Sequence, residues 1–443
     1  MTTFWLYVLG VVLFLTGLAI SVGLHEFGHL IPAKLFGVRV RQYMIGFGPT
    51  ILSRKIGDTE YGLKAVPLGG FVSMSGMFPP GKTLRTPRTS LGRFFQKLIT
   101  DAREASEQSM RDTDESHAFY RLPVYKRIIV MAGGPIMNLV LAFVLLAIVV
   151  SGFGVAGATT TVASVAQCIL PATSTETECP TDAPLSPAAQ AGLLPGDVVV
   201  SIGGTKIESW SQATTITRAS AGTALDYVVL RDGVAKDVRI TPVATTRFDV
   251  NPDGTPVLEA DGSQKVVQVG IAGISPATGL VREPVTAVFP MMGTAIVQTG
   301  QLIVNLPQKL VGVGEAAFGT APRDVNGPLS VVGVGRVAGE IASTDVAGPQ
   351  EKFVALLGVL ASLNIALFAF NLIPLLPLDG GHIAGAIWEG IRRSWAKLTH
   401  RADPGPVDVS RLMPLTFVVV VMMLAMSALL IYADLVKPIT LLG

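Results

Sequence analysis

The chain has 443 residues, of which 49% are hydrophobic and 15% are charged, and its mean hydropathy is +0.53. Soluble domains carry roughly 25% charged residues, so the composition argues against an ordinary soluble protein and indicates a polytopic α-helical membrane protein. The net charge of +2 is too balanced for a nucleic-acid-binding protein, and a lipid bilayer is the expected surrounding.

The first apolar segment ends in a metal-binding motif. Residues 4–24 contain no charged side chain, and His25-Glu26-Phe27-Gly28-His29 follows directly. On a helix, two histidines four residues apart share one face, so His25 and His29 can ligate one zinc ion while Glu26 acts as general base. A cleaved signal peptide is the alternative, but the segment lacks a basic start and cleavage would discard or isolate the motif.

Four segments are long and apolar enough to cross a hydrocarbon core of about 30 Å. They are residues 4–24, 128–150, 353–378 and 412–432. A fifth segment, 284–308, is uncharged but contains glutamine, asparagine and terminal prolines, and we predict that it is an interfacial amphipathic helix.

The charges of the connecting segments predict the orientation. Residues 34–127 carry 16 Lys/Arg against 8 Asp/Glu and residues 383–411 carry 5 against 3, whereas residues 152–352 carry 12 against 18. Because basic loops stay cytoplasmic, both termini are predicted to be extracytoplasmic. The His-Glu motif then lies toward the cytoplasmic side of the inner (plasma) membrane.

A carboxylate stands at the end of the third apolar segment. Asp379 is costly at the end of a membrane helix and marks a functional site if it has a partner, which here is a cation held by His25 and His29. The alternative is that Asp379 only meets water. The three groups can meet at one depth if the first and third segments run in the same direction, which requires one intervening span. Three protein ligands leave a fourth position open, the pattern of catalytic zinc.

Between the first two spans, residues 61–72 alternate weakly and are punctuated by glycine and proline, which is typical of strands with tight turns. We predict a membrane-associated β-hairpin or sheet. Its exposed edge at Gly69, Gly70 and Phe71 is a candidate for binding an extended substrate by strand addition. The alternative is a hairpin that only covers the zinc. Residues 81–122 form a long basic insert, and its part 83–117, which mixes both charges with few apolar residues, is predicted to be flexible.

The region after the second span is β-rich. Residues 186–202 and 227–233 are typical of a PDZ domain, which we place at 161–243 on the extracytoplasmic side. Such a domain either binds a peptide or acts as a size filter that excludes bulky ectodomains. Cys168 and Cys179 lie on the oxidising side and can close a small loop.

The predicted organisation, in chain order, is transmembrane helix 1 (1–33), a cytoplasmic β region with the basic insert (34–123), transmembrane helix 2 (124–153), the PDZ domain (161–243), an extracytoplasmic linker with the interfacial helix (244–352), transmembrane helix 3 (353–382), a cytoplasmic loop (383–411) and transmembrane helix 4 (412–434).

The motif at His25–His29 and the series Asn371-x-x-Pro374-x-x-x-Leu378-Asp379-Gly380 resemble the site-2 protease family of intramembrane zinc metalloproteases. The single PDZ module and the basic insert resemble actinobacterial members of the regulator-of-sigma-E protease branch. The resemblance implies that His25, His29 and Asp379 bind one zinc ion and that Glu26 is the catalytic base. It also implies that Asn371 and Pro374 lie near the substrate, although an interhelical hydrogen bond is an equal alternative for Asn371.

The resemblance implies hydrolysis of single-span membrane proteins, such as anti-sigma factors already cut once outside the membrane. Two other classes remain possible: a catalytically silent membrane adaptor and a zinc transporter. Glu26 argues against an adaptor, which has no use for a base beside a metal pair. The single compact site argues against a transporter.

Overall fold

The computed structural model describes residues 2–79, 89–110, 115–171, 174, 179–180, 182–249, 256–259 and 261–439. They form two compact units. The first unit combines Met1–Val149 with Pro284–Gly443, and the second is Val150–Glu283.

In chain order the helices and strands are α1 (Thr2–Leu35), β1 (Val40–Ile56), β2 (Thr59–Met74), α2 (Ser90–Gln108), α3 (Val124–Ala147), β3 (Val155–Val165), α4 (Pro187–Gln190), β4 (Val198–Ile202), β5 (Thr205–Lys206), α5 (Trp210–Ala219), β6 (Leu225–Arg231), β7 (Val234–Ile240), β8 (Val243–Phe248), β9 (Val266–Ile271), β10 (Ile274–Val281), α6 (Val288–Val304), α7 (Leu306–Phe318), α8 (Val331–Ser343), α9 (Pro349–Asn371), α10 (Asp379–Leu398) and α11 (Met413–Val436).

Within the described residues, five helices are long and apolar enough to cross a membrane. They are Thr3–Leu35, Val124–Phe153, Val285–Val304, Pro349–Asn371 and Val409–Val436. The third of these covers most of the segment that the sequence assigns to the interface. It meets the criteria of length and composition for a span, so its interfacial placement stays a prediction.

Helices α1 and α9 run side by side in the same direction, as the sequence predicts. Gly17 of α1 packs against Leu360 of α9, and four residues further along both helices the Asn364 amide donates to the Ser21 hydroxyl at 2.9 Å. Contacts that advance together along both helices define parallel neighbours. The ends of the two helices therefore reach the same side of the first unit.

The predicted third transmembrane helix is too long. Helix α9 ends at Asn371, and a new helix, α10, begins at Asp379. The segment between them contains Pro374 and Pro377, and proline lacks the N–H that a continuing helix needs. Asp379 therefore begins a helix rather than ending one.

The beginning of β1 pairs with two different parts of β2, one on each side. Met44 in β1 pairs with Gly62 on one side and with Phe71 on the other. Residues 70–74 consequently form an outer strand of this sheet, and within the described residues they pair only with the start of β1. The prediction of a sheet between the first two helices is confirmed.

Much of the predicted flexible insert is helical. Helix α2 covers 19 residues of it, while residues 83–88 and 111–114 lie outside the described residues. Apolar side chains at positions 91, 94, 95 and 98 recur at helical spacing, and Thr89 caps the helix by accepting the N–H of Gly92. A count of charged residues over the whole segment does not show this apolar spacing.

The second unit holds a six-stranded sheet in the order β10-β3-β4-β6-β7, with β5 paired to β4. Its core is built on buried residues such as Tyr227, Val229 and Ile240. Cys168 and Cys179 form a disulfide bond. The unit contains the predicted PDZ segment but extends beyond it on both sides.

The predicted linker 244–352 is wrong in its first part. Residues 243–248 and 266–271 pair as β8 and β9, and β10 pairs with β3, more than one hundred residues earlier. Pairing over such a distance leaves no local signal in the sequence. The rest of the predicted linker forms α6, α7 and α8.

Candidate metal centre

Two histidines and one aspartate converge at the end of α1. Nε2 of His25 lies 3.3 Å from Nε2 of His29. Asp379 reaches both rings, with Oδ2 at 3.3 Å from His25 Nε2 and Oδ1 at 3.4 Å from His29 Nε2. His25 and His29 are 9% and 5% exposed. Within the described residues this is the only group of three potential ligands that lie together.

The spacing fits zinc. Zinc–nitrogen and zinc–oxygen bonds of about 2.0–2.2 Å in a tetrahedron place neighbouring ligand atoms about 3.3–3.5 Å apart. The three measured separations are 3.3, 3.3 and 3.4 Å. In addition, Asp379 Oδ2 is buried without a hydrogen-bond partner among the described residues. The two imidazoles and one carboxylate are therefore arranged to bind a tetrahedral metal with one position left over.

Two glycines allow Asp379 to begin α10 at this place. A Cβ on Gly380 would lie 2.3 Å from the Ile373 carbonyl oxygen, and one on Gly381 would lie 2.6 Å from the Leu376 nitrogen. The first turn of α10 thus packs directly on the backbone of the segment that follows α9. Any larger residue would push Asp379 away from the histidines.

Helix α3 supplies a partner for each histidine. His29 Nδ1 lies 2.8 Å from the Val130 carbonyl oxygen, so Nδ1 carries the proton and the Nε2 lone pair faces Asp379. The Asn138 amide nitrogen lies 3.1 Å from His25 Nδ1, and its oxygen has no partner among the described residues. Turning the amide by 180° lets that oxygen accept the Nδ1 proton and frees Nε2 for a metal.

Asn138 is therefore expected to strengthen zinc binding. Partners of metal-ligating histidines typically contribute 10–100-fold in metal affinity. Asn138→Leu is expected to weaken zinc binding by about that factor, whereas Asn138→Asp keeps an acceptor and should remain near wild type. Zinc retained by the purified protein against graded chelator concentrations measures this. Equal retention by the Leu variant and the wild type would contradict the assignment.

Glycines at the contact between α3 and α1 allow α3 to approach the histidines closely. A Cβ on Gly133 would lie 2.1 Å from the Gly28 carbonyl oxygen, and a Cβ on Gly28 would lie 2.2 Å from that of Gly133. At Gly134 the added atom would lie 2.3 Å from His29 Nε2. The backbone of α3 thus touches both α1 and the rings of His25 and His29.

A buried ion network fixes α10 against α3. Arg127 and Arg393 lie 2.5 and 3.1 Å from Glu389 Oε1, and the Val407 N–H donates to Glu389 Oε2 at 2.9 Å. Glu389 is fully buried. Since α10 carries Asp379 and α3 orients the histidines, this network holds two of the three contributing helices in register.

Glu26 lies between the metal cluster and the sheet. A Cβ on Gly70 would be 3.0 Å from Glu26 Cγ, so the outer strand 70–74 passes directly beside this carboxylate. Tyr43 donates to the Gly23 carbonyl at 2.6 Å and ties the sheet to the same turn of α1. Burial, together with the nearby Glu26 carboxylate, raises the pKa of Tyr43 to about 12, so its hydroxyl stays a donor at neutral pH.

The other predicted site residues lie in the sheet and in the segment between α9 and α10. Gly69 packs against the Phe47 ring, and Phe71 pairs with Met44 within the sheet. Asn371 is the last residue of α9, and Pro374 is exposed in the segment that leads to Asp379. Contact of these four residues with a substrate remains a prediction.

The chain matches known proteins over nearly its whole length. Residues 13–402 match the model of peptidase family M50. The zinc metalloprotease Rip1 of Mycobacterium tuberculosis is 35% identical over 98% of this chain and 99% of its own. Rip1 of Mycolicibacterium smegmatis is 32% identical, with 98% of both chains covered, and the zinc metalloprotease RasP of Oceanobacillus iheyensis is 26% identical over 86% of this chain and 91% of its own.

In this multi-pass membrane protein two histidines and an aspartate converge beside a glutamate. This combination defines the class of intramembrane zinc metalloproteases. The chain belongs to peptidase family M50, the site-2 protease family, and its mycobacterial relatives agree with the actinobacterial resemblance. Its cofactor is a catalytic zinc ion.

Proposed function

We propose that this protease cuts peptide bonds in or near the transmembrane segments of single-span membrane proteins, with His25, His29 and Asp379 as zinc ligands and Glu26 as the general base. One observation carries the proposal. Three ligand atoms lie 3.3–3.4 Å apart at the end of an apolar helix, and Glu26 is the residue that follows the first of them.

The side chains divide the reaction between them. When bound, zinc would supply a Lewis acid that polarises the peptide carbonyl and lowers the pKa of a water molecule. Glu26 takes the proton as water attacks and passes it to the leaving amine. The amide of Asn371 donates to the developing oxyanion. His25 and His29 are held in the required tautomer by Asn138 and the Val130 carbonyl.

A helical substrate hides its carbonyl groups, so it must be extended before it can react. We assign this step to the outer strand 70–74 of the first unit, with Gly70, Phe71 and the preceding Gly69 as the binding residues. Strand addition to this edge would supply backbone hydrogen bonds to an unwound segment. The closeness of Gly70 to Glu26 supports this assignment, since an added strand would pass beside the general base.

We propose four membrane spans, with the site toward the cytoplasmic side of the inner membrane and both termini outside. The parallel direction of α1 and α9 supports this count. Two complete crossings between them would reverse α9, whereas one crossing by α3 gives the direction observed. Helix α6 then lies in or along the membrane without a full crossing of its own.

We propose anti-sigma factors, already shortened by a first extracytoplasmic cut, as the substrate class. Residues 161–243 are assigned as a PDZ domain that excludes bulky ectodomains. These residues lie within the second compact unit, 150–283, and its buried core supports a folded domain at this place. A filter explains why the first cut would be needed, because it would admit only a protein that has already lost its ectodomain.

Cleavage in membranes tests the proposal. A single-span anti-sigma factor with a cytoplasmic tag is expressed in two forms, with and without its ectodomain, together with the protease. The expected result is a soluble tagged fragment from the short form only, which disappears when a zinc chelator is added or when His25 is replaced by Ala.

Each other outcome has its own meaning. A fragment that persists with His25→Ala shows that another enzyme makes the cut. Equal cleavage of both substrate forms contradicts the size filter. Co-purification of the substrate without any cleavage, by a protein that contains zinc, favours the membrane adaptor.

A further inference from the structure

Helix α2 is attached at its end to the segment that follows the sheet. The Ser106 hydroxyl accepts the Phe78 N–H at 3.0 Å and donates to the Phe78 carbonyl at 2.9 Å. The Ser109 hydroxyl accepts the N–H of Gly76 at 3.0 Å. The Phe78 ring in turn lies 6.5 Å from that of His382, one turn beyond Asp379. The position of α2 is therefore coupled by direct contacts to the helix that carries Asp379.

The same helix is attached to the beginning of α11. Arg103 forms an ion pair with Asp408 and donates to the Ser410 hydroxyl at 3.0 Å. Phe94 packs edge-on against Phe417, with the ring centroids 5.3 Å apart. Since Val409–Val436 is a candidate span, these contacts place α2 where that span begins.

The surface that α2 leaves free is divided into an apolar and a basic strip. Leu91 and Phe94 remain 64% and 44% exposed, three residues apart on one face. Arg93 and Lys97 are exposed on the neighbouring face, four residues apart. The acidic residues Asp101, Glu104 and Glu107 all lie further along the helix. The first half of α2 is thus amphipathic and basic.

The apolar strip continues onto α11. Phe417, which touches Phe94, is itself exposed, and so are its neighbours Leu415 and Val418. Exposed apolar residues on a membrane span face acyl chains. The strip on α2 therefore continues the apolar surface of this candidate span, and Arg93 and Lys97 add two positive charges beside the beginning of that span.

We propose that the first half of α2, residues 91–98, lies on the bilayer surface and binds anionic phospholipid. Leu91 and Phe94 enter the acyl region, and Arg93 and Lys97 face the headgroups. Helices with this division of residues lie in the plane of the interface. Each basic residue close to an anionic surface raises partitioning roughly fivefold, so the pair gives a preference for anionic over neutral lipid.

A single fluorescent label tests the proposal in the full-length protein. The two natural cysteines are joined in a disulfide, so Leu91→Cys provides one reactive thiol. Thr100→Cys is the matched control, because Thr100 is exposed on the same helix outside the apolar strip. Each labelled protein is reconstituted into vesicles of phosphatidylcholine, with or without phosphatidylglycerol, that contain a spin-labelled lipid as quencher.

Quenching at position 91 should exceed that at position 100 by at least about threefold in vesicles with phosphatidylglycerol. The double substitution Arg93→Glu/Lys97→Glu should reduce the quenching at position 91 to about half or less in those vesicles. Weak, equal quenching at both positions overturns the proposal. A shielded label at position 91 that lipid does not quench shows a protein partner instead, and equal quenching in both vesicle types overturns the role of anionic lipid. None of these readouts depends on proteolysis.

Discussion

Glu26→Gln is expected to lower kcat/KM for a membrane substrate by about 10²–10⁴-fold while the protein keeps its zinc. Glutamine has nearly the same shape as glutamate but cannot accept a proton, so only the proton transfer is lost. Glu26 is not a member of the group of potential ligands formed by His25, His29 and Asp379. Metal content measured on the purified variant, together with the cleavage rate in vesicles, separates the two effects.

His25→Ala is the matched comparison for this prediction. Removing one of the three proposed ligands should abolish both zinc binding and cleavage, whereas Glu26→Gln should impair cleavage alone. If Glu26→Gln lost zinc as well, Glu26 would be acting on the metal site. If Glu26→Gln cleaved at the wild-type rate, another group would be the base.

The first part of the site is local and could be predicted from the sequence. Two histidines four residues apart on a helix must share a face, whatever surrounds them. Asp379 could be added because a carboxylate at the end of an apolar segment needs a partner. The parallel direction of α1 and α9 followed from the requirement that these three groups meet.

The role of Asn138 could not be predicted in the same way. An asparagine in an apolar helix signals a hydrogen bond, but its partner, His25, is 113 residues away. The close approach of Gly133 to Gly28 likewise depends on which helices pack together. Both features arise from the packing of α3 against α1 and leave no periodic signal.

Two predictions differ from the structure, those for the end of the third apolar helix and for the insert, although individual residues in the sequence indicate the observed helices. Pro374 and Pro377 indicate that a helix beginning near residue 353 stops before them, and α9 does end at Asn371. In the insert, Leu91 and Phe94 belong to an apolar pattern of helical period that a count of charged residues hides. In both cases the positions of individual residues indicate the structure, and the average composition does not.

Gly134→Ala is expected to reduce zinc affinity by at least about tenfold, a loss on the scale of removing a histidine's hydrogen-bond partner. The new Cβ would lie 2.3 Å from His29 Nε2 and 2.8 Å from His25 Cε1, both far inside van der Waals contact. Since the obstruction is at the two imidazole rings themselves, at least one ring must turn away. The outcome is measured by zinc content and by the chelator concentration that removes half of the metal.

Two other glycines distinguish this effect from general damage to the helices. Gly358 lies in α9, and a Cβ added to it would meet no neighbouring group within 4 Å among the described residues. The Gly358→Ala variant should therefore bind zinc like the wild type, and its helix α9 should be slightly more stable. Gly133→Ala meets the Gly28 backbone at 2.1 Å and should lower the melting temperature even of the zinc-free protein, because it separates α1 from α3. Gly134→Ala should leave the melting temperature of the zinc-free protein closer to wild type than Gly133→Ala does. Full zinc affinity in Gly134→Ala would mean that α3 can withdraw from the histidines without loss of the site, and the close packing seen at Gly133 and Gly134 would then have no part in holding the metal.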